Sequence, residues 1–230
     1  MITISLRKKV WLRIMAVYDK KEVEEKANSI LKELGFLNSR NPDIVVIARH
    51  FGFRVGESKQ LPYVINGFLH ISKDKAKKII CVNYYRYGEI QRFTVAQMLA
   101  RYFLYYENVE LEDFVRYEEY KKSHNLAPKE TEIDYFANCL LAPKKEFASV
   151  YNALKENGYD EWDTIRHLED IFRLTKESIH HRIEDVKHVR EERYIPTTTR
   201  KEKEKKESRN TGLYFYAAKW LEWLRRAKVF

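Results

Sequence analysis

The chain has 230 residues, 44% of them hydrophobic, 14% aromatic and 33% charged, with a formal net charge of +9. That length holds one domain of ordinary size plus a small appendage, and that apolar fraction is enough for a buried core, which excludes a wholly disordered chain. No apolar run approaches the roughly 20 residues of a membrane-spanning helix, and the opening MITISLRKKVWLRIM has no sustained apolar segment ahead of a small-residue cleavage site. The expectation is a protein with no membrane span and no secretory signal. Its two cysteines, Cys81 and Cys139, stand singly within apolar patterns and read as reduced core thiols, which suits the cytoplasm.

Residues 1–21 read as an N-terminal extension. Val23, Ala27, Ile30, Leu31 and Leu34 then recur at helical spacing up to Gly35. Asp43 is placed to cap a second helix, whose buried side would carry Ile44, Ile47 and Ala48 and which would end at Gly52. Phe53 to Val55, Tyr63 to Ile71 and Lys78 to Asn83 read as strands, with Gly67 marking a bulge. A turn at Gly88 leads into a helix with Phe93, Val95, Ala96, Leu99, Phe103 and Leu104 as its apolar residues. The remainder as far as about Lys187 reads as helical, interrupted at Pro128, Pro143 and Gly158. The plan is α+β: a small, mostly antiparallel sheet packed against a helical bundle, with a C-terminal helical extension.

Within the helix after Gly88, the segment RFTVAQMLARYFLY (92–105) has the frame of a zinc-peptidase helix. In such helices His-Glu-x-x-His places two imidazoles at i and i+4 on one face, with the glutamate as general base. The three positions here are Gln97, Met98 and Arg101. An amide is a poor zinc ligand, a thioether takes no proton from water, and a guanidinium offers no lone pair. A cation at Arg101 about 4 Å from Zn²⁺ would be repelled by roughly 8 kcal/mol at an effective dielectric near 20, unless the long side chain swung away.

A second block, EIDYFANCLLAP (132–143), resembles the segment E-A-N-x-F-A-A-x-L-L-M-P of the ImmA/IrrE family of metallopeptidases. NPDIVVIARHFGFRV (41–55) and KKIICVN (77–83) are similar to that family as well, and the resemblance spans residues 22–189. It implies a zincin-like fold and assigns Glu132 to the third-ligand position. Family members read R-F-T-L-A-H-E-L-G-H, so Gln97, Met98 and Arg101 replace His, Glu and His, and Tyr105 stands where a further His is often found. The resemblance therefore implies a pseudo-active site of Gln97, Met98, Arg101, Tyr105 and Glu132, with no catalytic residue, no metal and no cofactor. Two other candidate ligands, His124 and Asp134, do not restore a close ligand spacing. With its zinc lost, the expected clasp is an Arg101–Glu132 pair, supported by Gln97 and packed by Met98.

Residues 164–186, TIRHLEDIFRLTKESIHHRIEDV, have the pattern of a helix-turn-helix. Leu168, Phe172, Leu174, Ile179 and Ile183 supply its apolar contacts, and Thr175 is placed to cap the second helix. That helix would present Lys176, His180, His181 and Arg182 as candidate nucleic-acid contacts. Arg173 occupies the place of the usual turn glycine, and two packed helices closing the domain are the favoured alternative to a DNA reader. Residues 190–212 form a charged linker, whose stretch RKEKEKKESR (200–209) holds six basic and three acidic residues. One third of the net charge thus lies in a tether, which weakens the case for a basic DNA-binding face. Residues 213–230 read as an aromatic amphipathic helix, in which Trp220, Leu221, Trp223 and Leu224 are candidates for partner binding, for self-association or for docking back on the domain.

Members of the resembled family commonly act on helix-turn-helix repressors of phages and mobile elements, by cleavage or by binding. The resemblance therefore implies a catalytically inactive, protein-binding regulator in the cytoplasm, its partner a regulatory protein such as a repressor. Two alternatives stay open at this point: an active metallopeptidase holding zinc through non-standard ligands, and a DNA-binding regulator using residues 175–186.

Overall fold

The computed structural model describes residues 19–111, 113–120 and 132–187. The expectations for the N-terminal extension, for His124 and Pro128, for the linker and for Trp220, Leu221, Trp223 and Leu224 lie outside the described residues. What is described is a mixed α+β fold with seven α-helices and a four-stranded sheet. Among the described residues no helix is long and apolar enough to cross a membrane.

Two helices open it. Helix α1 (Lys20–Glu33) is capped by Asp19, whose carboxylate accepts from the Lys21 amide, and α2 (Ile44–His50) is capped by Asp43, which accepts from the amides of Val45 and Val46. Gly35 and Gly52 come after them with φ of 74° and 79°, the left-handed conformation that a side chain resists. The stripe read from the sequence is the buried face of α1: Val23, Ala27, Ile30 and Leu31.

The strands are β1 (Phe53–Ser58), β2 (Ile65–Ile71), β3 (Lys78–Asn83) and β4 (Val115–Tyr120), in the order β1-β3-β2-β4. β1 runs parallel to β3, while β2 is antiparallel to both β3 and β4. The sheet is therefore mostly antiparallel, as expected. β4 itself corrects the reading of the chain after Gly88 as wholly helical. Its residues VRYEEY alternate only at Val115 and Tyr117, a short period-two signal that the surrounding charges obscure.

Gly67 adjoins the bulge: the β2–β4 register shifts between Ile65 and Gly67, leaving Asn66 as the extra residue. It also lies against a helix that crosses the sheet. A Cβ there would lie 2.6 Å from the Cys81 carbonyl oxygen and 2.8 Å from Thr94 Cγ2.

That helix, α3 (Gly88–Arg101), packs on β2 and β3 and continues into a π turn (Tyr102–Tyr106), in which the Glu107 amide reaches back to the Tyr102 carbonyl at 2.8 Å. Helix α4 (Glu132–Leu141) is buried from Ile133 to Leu141, packed between α1 and α3. The rest is α5 (Lys144–Glu156), α6 (Glu161–Phe172) and α7 (Lys176–Val186). Phe51, just after α2, meets Phe103 of the π turn edge to face, and Phe103 stacks on Phe136 of α4. Arg92 of α3 ties the domain across its loops, donating to the carbonyls of Phe172 at 2.6 Å, Arg173 at 3.1 Å and Pro42 at 2.9 Å. Burial pulls its guanidinium down to about 10, which still leaves it charged at neutral pH to face the C-terminus of α6.

Candidate functional site

Helices α3 and α4 lie side by side, and the residues singled out in the sequence meet along their contact. Gln97 and Met98 are both buried, and Gln97 Nε2 donates to Asp134 Oδ1 at 2.7 Å. Arg101, one turn further on and half-buried, donates through Nη2 to the Tyr117 hydroxyl at 2.5 Å and lays its guanidinium 3.5 Å from the centre of that ring. Tyr105, at the end of the π turn, donates its hydroxyl proton to Glu132 Oε1. Burial, then the carboxylate beside it, hold the Tyr105 phenol above its ordinary range, so it remains a protonated donor at neutral pH.

All five expected positions thus cluster, but the pairing differs from the one read in the sequence. The ion pairs of the described residues do not include Arg101 with Glu132; the tyrosine takes the carboxylate, and the guanidinium goes to β4. The π turn explains the exchange. It turns Tyr105 toward the first residue of α4, and Tyr117 gives Arg101 both a hydroxyl acceptor and a ring face to stack on. Asp134 and Tyr117 are members that sequence reasoning did not place as partners. The sequence offers Asp134 only as a candidate ligand, and its two-residue step from Glu132 gives no sign of a shared face; Tyr117 required seeing β4.

A catalytic zinc site needs three protein ligands with free lone pairs and an open fourth position. The residues here do not fit it. Gln97 turns its NH₂ toward the nearest carboxylate, Arg101 carries a fixed positive charge, Glu132 accepts a phenol proton, and Met98 is buried where a general base would stand. Among the described residues no three His, Cys, Asp or Glu side chains gather as a metal-binding group. Among the described residues, the Gln97–Asp134 and Tyr105–Glu132 hydrogen bonds join α3 and its π turn to α4, and the Arg101–Tyr117 bond joins α3 to β4.

The helix-turn-helix segment is present as α6 and α7. Thr175 caps α7 by accepting from the Ser178 amide at 3.3 Å, and Leu168, Phe172, Leu174, Ile179 and Ile183 are buried. Arg173 adopts φ 53° and ψ 46°, taking the conformation of the usual glycine with its side chain 3.8 Å from Glu89. The four candidate nucleic-acid contacts do not share a face. Lys176 and His180 are exposed, His181 is half-buried, and Arg182 is 0% exposed. Arg182 lies two residues beyond His180, about 200° around the helix, so it points inward. There its Nε donates to the Ala142 carbonyl at 2.9 Å, its Nη1 lies 3.5 Å from Asp185 and 3.6 Å from the Cys139 sulfur, and its Nη2 is 3.9 Å from Glu24. Burial pushes the Cys139 thiol up to about 11. Arg182 is a core residue, removed from the list of DNA contacts.

No curated protein matches the chain. Among solved structures, a Mycobacterium tuberculosis transcriptional regulator is similar at 18% identity and a TM-score of 0.45, over 80% of this chain and 52% of that one, so the chain spans about half the length of that regulator. The family model described as the IrrE N-terminal-like domain matches residues 40–184, which include residues 92–105 and 132–143 and most of the helix pair after them. The chain belongs to the IrrE N-terminal-like domain family.

Proposed function

We propose that this chain is a pseudo-peptidase: a member of its family that has exchanged zinc chemistry for a structural clasp and acts by binding a regulatory protein. The observation that carries the reading is that the carboxylate at the third-ligand position, Glu132, is already engaged by Tyr105, and the nearby Asp134 by Gln97. A helix-turn-helix repressor of a phage or mobile element, in the cytoplasm, is the partner this reading favours, since family members commonly act on such proteins. DNA is the less favoured ligand, because Arg182 is withdrawn from the face that would read it.

Elemental analysis of the purified chain tests the loss of zinc. The expected result is no stoichiometric zinc and no cleavage of protein substrates. One tightly held zinc per chain, lost on Glu132→Ala, would establish the alternative of a metallopeptidase with non-standard ligands. Gln97→His with Arg101→His should create a zinc site with Glu132, because the frame then offers two imidazoles and a carboxylate. Adding Met98→Glu places a carboxylate where a thioether is now fully buried, so metal binding should return more readily than activity.

A further inference from the structure

Two loops at the N-terminal end of α3, residues 59–64 and 84–87, hold five of the nine large hydrophobic side chains that are exposed among the described residues: Tyr63, Val64, Tyr84, Tyr85 and Tyr87. Tyr63 is 64% exposed, Tyr84 47%, Tyr85 63% and Tyr87 81%. Scattered single aromatics on a surface need no explanation, but a cluster does. This one lies nine residues or more from Gln97, about 14 Å along the helix axis, and takes no part in the vacated site.

The loops are held in place from beneath. Asn83 is fully buried, and its Nδ2 donates to the carbonyls of Pro62 at 3.1 Å and Ile65 at 2.8 Å, while its Oδ1 accepts from the Tyr85 amide at 3.0 Å. Gln91 of α3 donates to the Asn83 carbonyl at 3.0 Å, the Tyr84 amide donates to the Ser58 carbonyl at 3.1 Å, and Arg86 donates to the Tyr63 carbonyl. One asparagine thus sets the backbones of both loops against each other before any partner arrives. Rigid tyrosines on a pre-ordered backbone lose little entropy on binding, which is why such residues dominate contact energies between proteins.

The charges on the two loops select the partner. There are two, Lys59 and Arg86, both positive, and neither is in an ion pair among the described residues; the nearby acids Glu89, Glu169 and Asp170 lie only on the Tyr87 side, in a pocket shared with Arg173. Each lies over a tyrosine ring, Lys59 at 4.6 Å from Tyr84 and Arg86 at 4.4 Å from Tyr63. Two cations are too few to track a nucleic-acid backbone, but they suit carboxylates at the rim of an aromatic contact. We infer that this tyrosine surface is a docking site for a protein segment that presents apolar side chains flanked by aspartate or glutamate.

The inference deepens the protein-binding role proposed above by naming the face and the partner's chemistry. The zinc measurement bears only on the vacated site, so a chain that carries zinc and still binds peptide through these tyrosines fails the first reading and not this one. Random peptides displayed on phage are selected against the full chain, and the enriched sequences are synthesised as the probe. The expected result is enrichment of carboxylates beside Leu, Phe or Trp. Tyr85→Ser with Tyr87→Ser should weaken the peptide roughly 30-fold or more at an unchanged melting temperature. Lys59→Glu should weaken it too, and exchanging the peptide's carboxylates for lysines should restore the loss. Selected peptides with no acidic bias, or peptides indifferent to the tyrosine and lysine variants, overturn the inference. So does a thymidine oligonucleotide whose binding depends on the same tyrosines, or a concentration-dependent dimer of this chain that those variants dissolve.

Discussion

Replacing Arg182 with alanine removes the charge at the centre of the helical half of the domain. Its guanidinium, with no exposed surface, stands between Asp185, whose side chain is 6% exposed, and Glu24 at 14%, and its Nε caps the last carbonyl after α4. Breaking one partner of a buried pair costs about 3–5 kcal/mol, because the carboxylate left behind is desolvated and uncompensated. Here Lys20 remains on Asp185 at 3.0 Å and Lys144 on Glu24 at 3.4 Å, so the lower end, about 3 kcal/mol, is expected. For a domain of this size that is a fall in melting temperature of roughly 6–12 °C. Calorimetry or circular dichroism reads it directly. Arg182→Lys should recover part of the loss, and Lys176→Ala and His180→Ala should change little, since both side chains are exposed. In a double-mutant cycle with Glu24→Gln, the combined loss should fall short of the sum. An Arg182→Ala chain that melts with the wild type but loses salt-dependent binding to DNA would refute the placement and return the residue to a DNA-reading face.

Gly67→Ala should cost about 1–3 kcal/mol by denaturant unfolding, because the new Cβ meets the Cys81 carbonyl and Thr94 Cγ2; Thr94→Ser should relieve part of that and leave the rest, which is against backbone. Cys139, whose ordinary pKa of 9.0 is pushed up to about 11 by burial, stays protonated in the fold while the unfolded chain ionises. Its contribution is therefore complete below about pH 9 and is lost as pH rises toward 11, roughly 2–3 kcal/mol that should vanish from the slope of stability against pH in Cys139→Ala. Tyr105→Phe removes the proton that Glu132 accepts and should cost roughly 1–2 kcal/mol, with Glu132→Gln adding less than its separate effect; additive losses would show that the two do not act as a pair.

Much of the fold was legible because its punctuation is local. Asp43 and Thr175 cap by bonding amides two or three residues on, Gly35 and Gly52 close helices through their own φ angles, and Gly67 marks the bulge. The cluster of Gln97, Met98, Arg101, Tyr105 and Glu132 was legible from the family frame alone. What escaped was long-range or depended on phase. Strand β4 comes after helix α3 through a segment whose charges mask its alternation, so Tyr117 was not available as a partner for Arg101. Arg182 was read on the outer face together with Lys176, His180 and His181, although a step of two residues from His180 crosses the helix. The exchange of partners at Glu132 depends on a π turn, which leaves no simple mark in the sequence.

That π turn has a consequence for how the family's chains can change length. A helix that takes one extra residue into a single turn keeps its upstream half in phase with the sheet and rotates only its downstream half. Here the residues up to Arg101 stay seated on β2 and β3, whereas Phe103 and Tyr105 face α2 and α4. Removing one residue between 102 and 106 would restore an ordinary turn and swing the Tyr105 hydroxyl about 100° away from Glu132. Adding or losing a residue at this place therefore acts as a phase shifter within one helix, resetting which side chain meets α4 while the residues up to Arg101 keep their seat on the sheet.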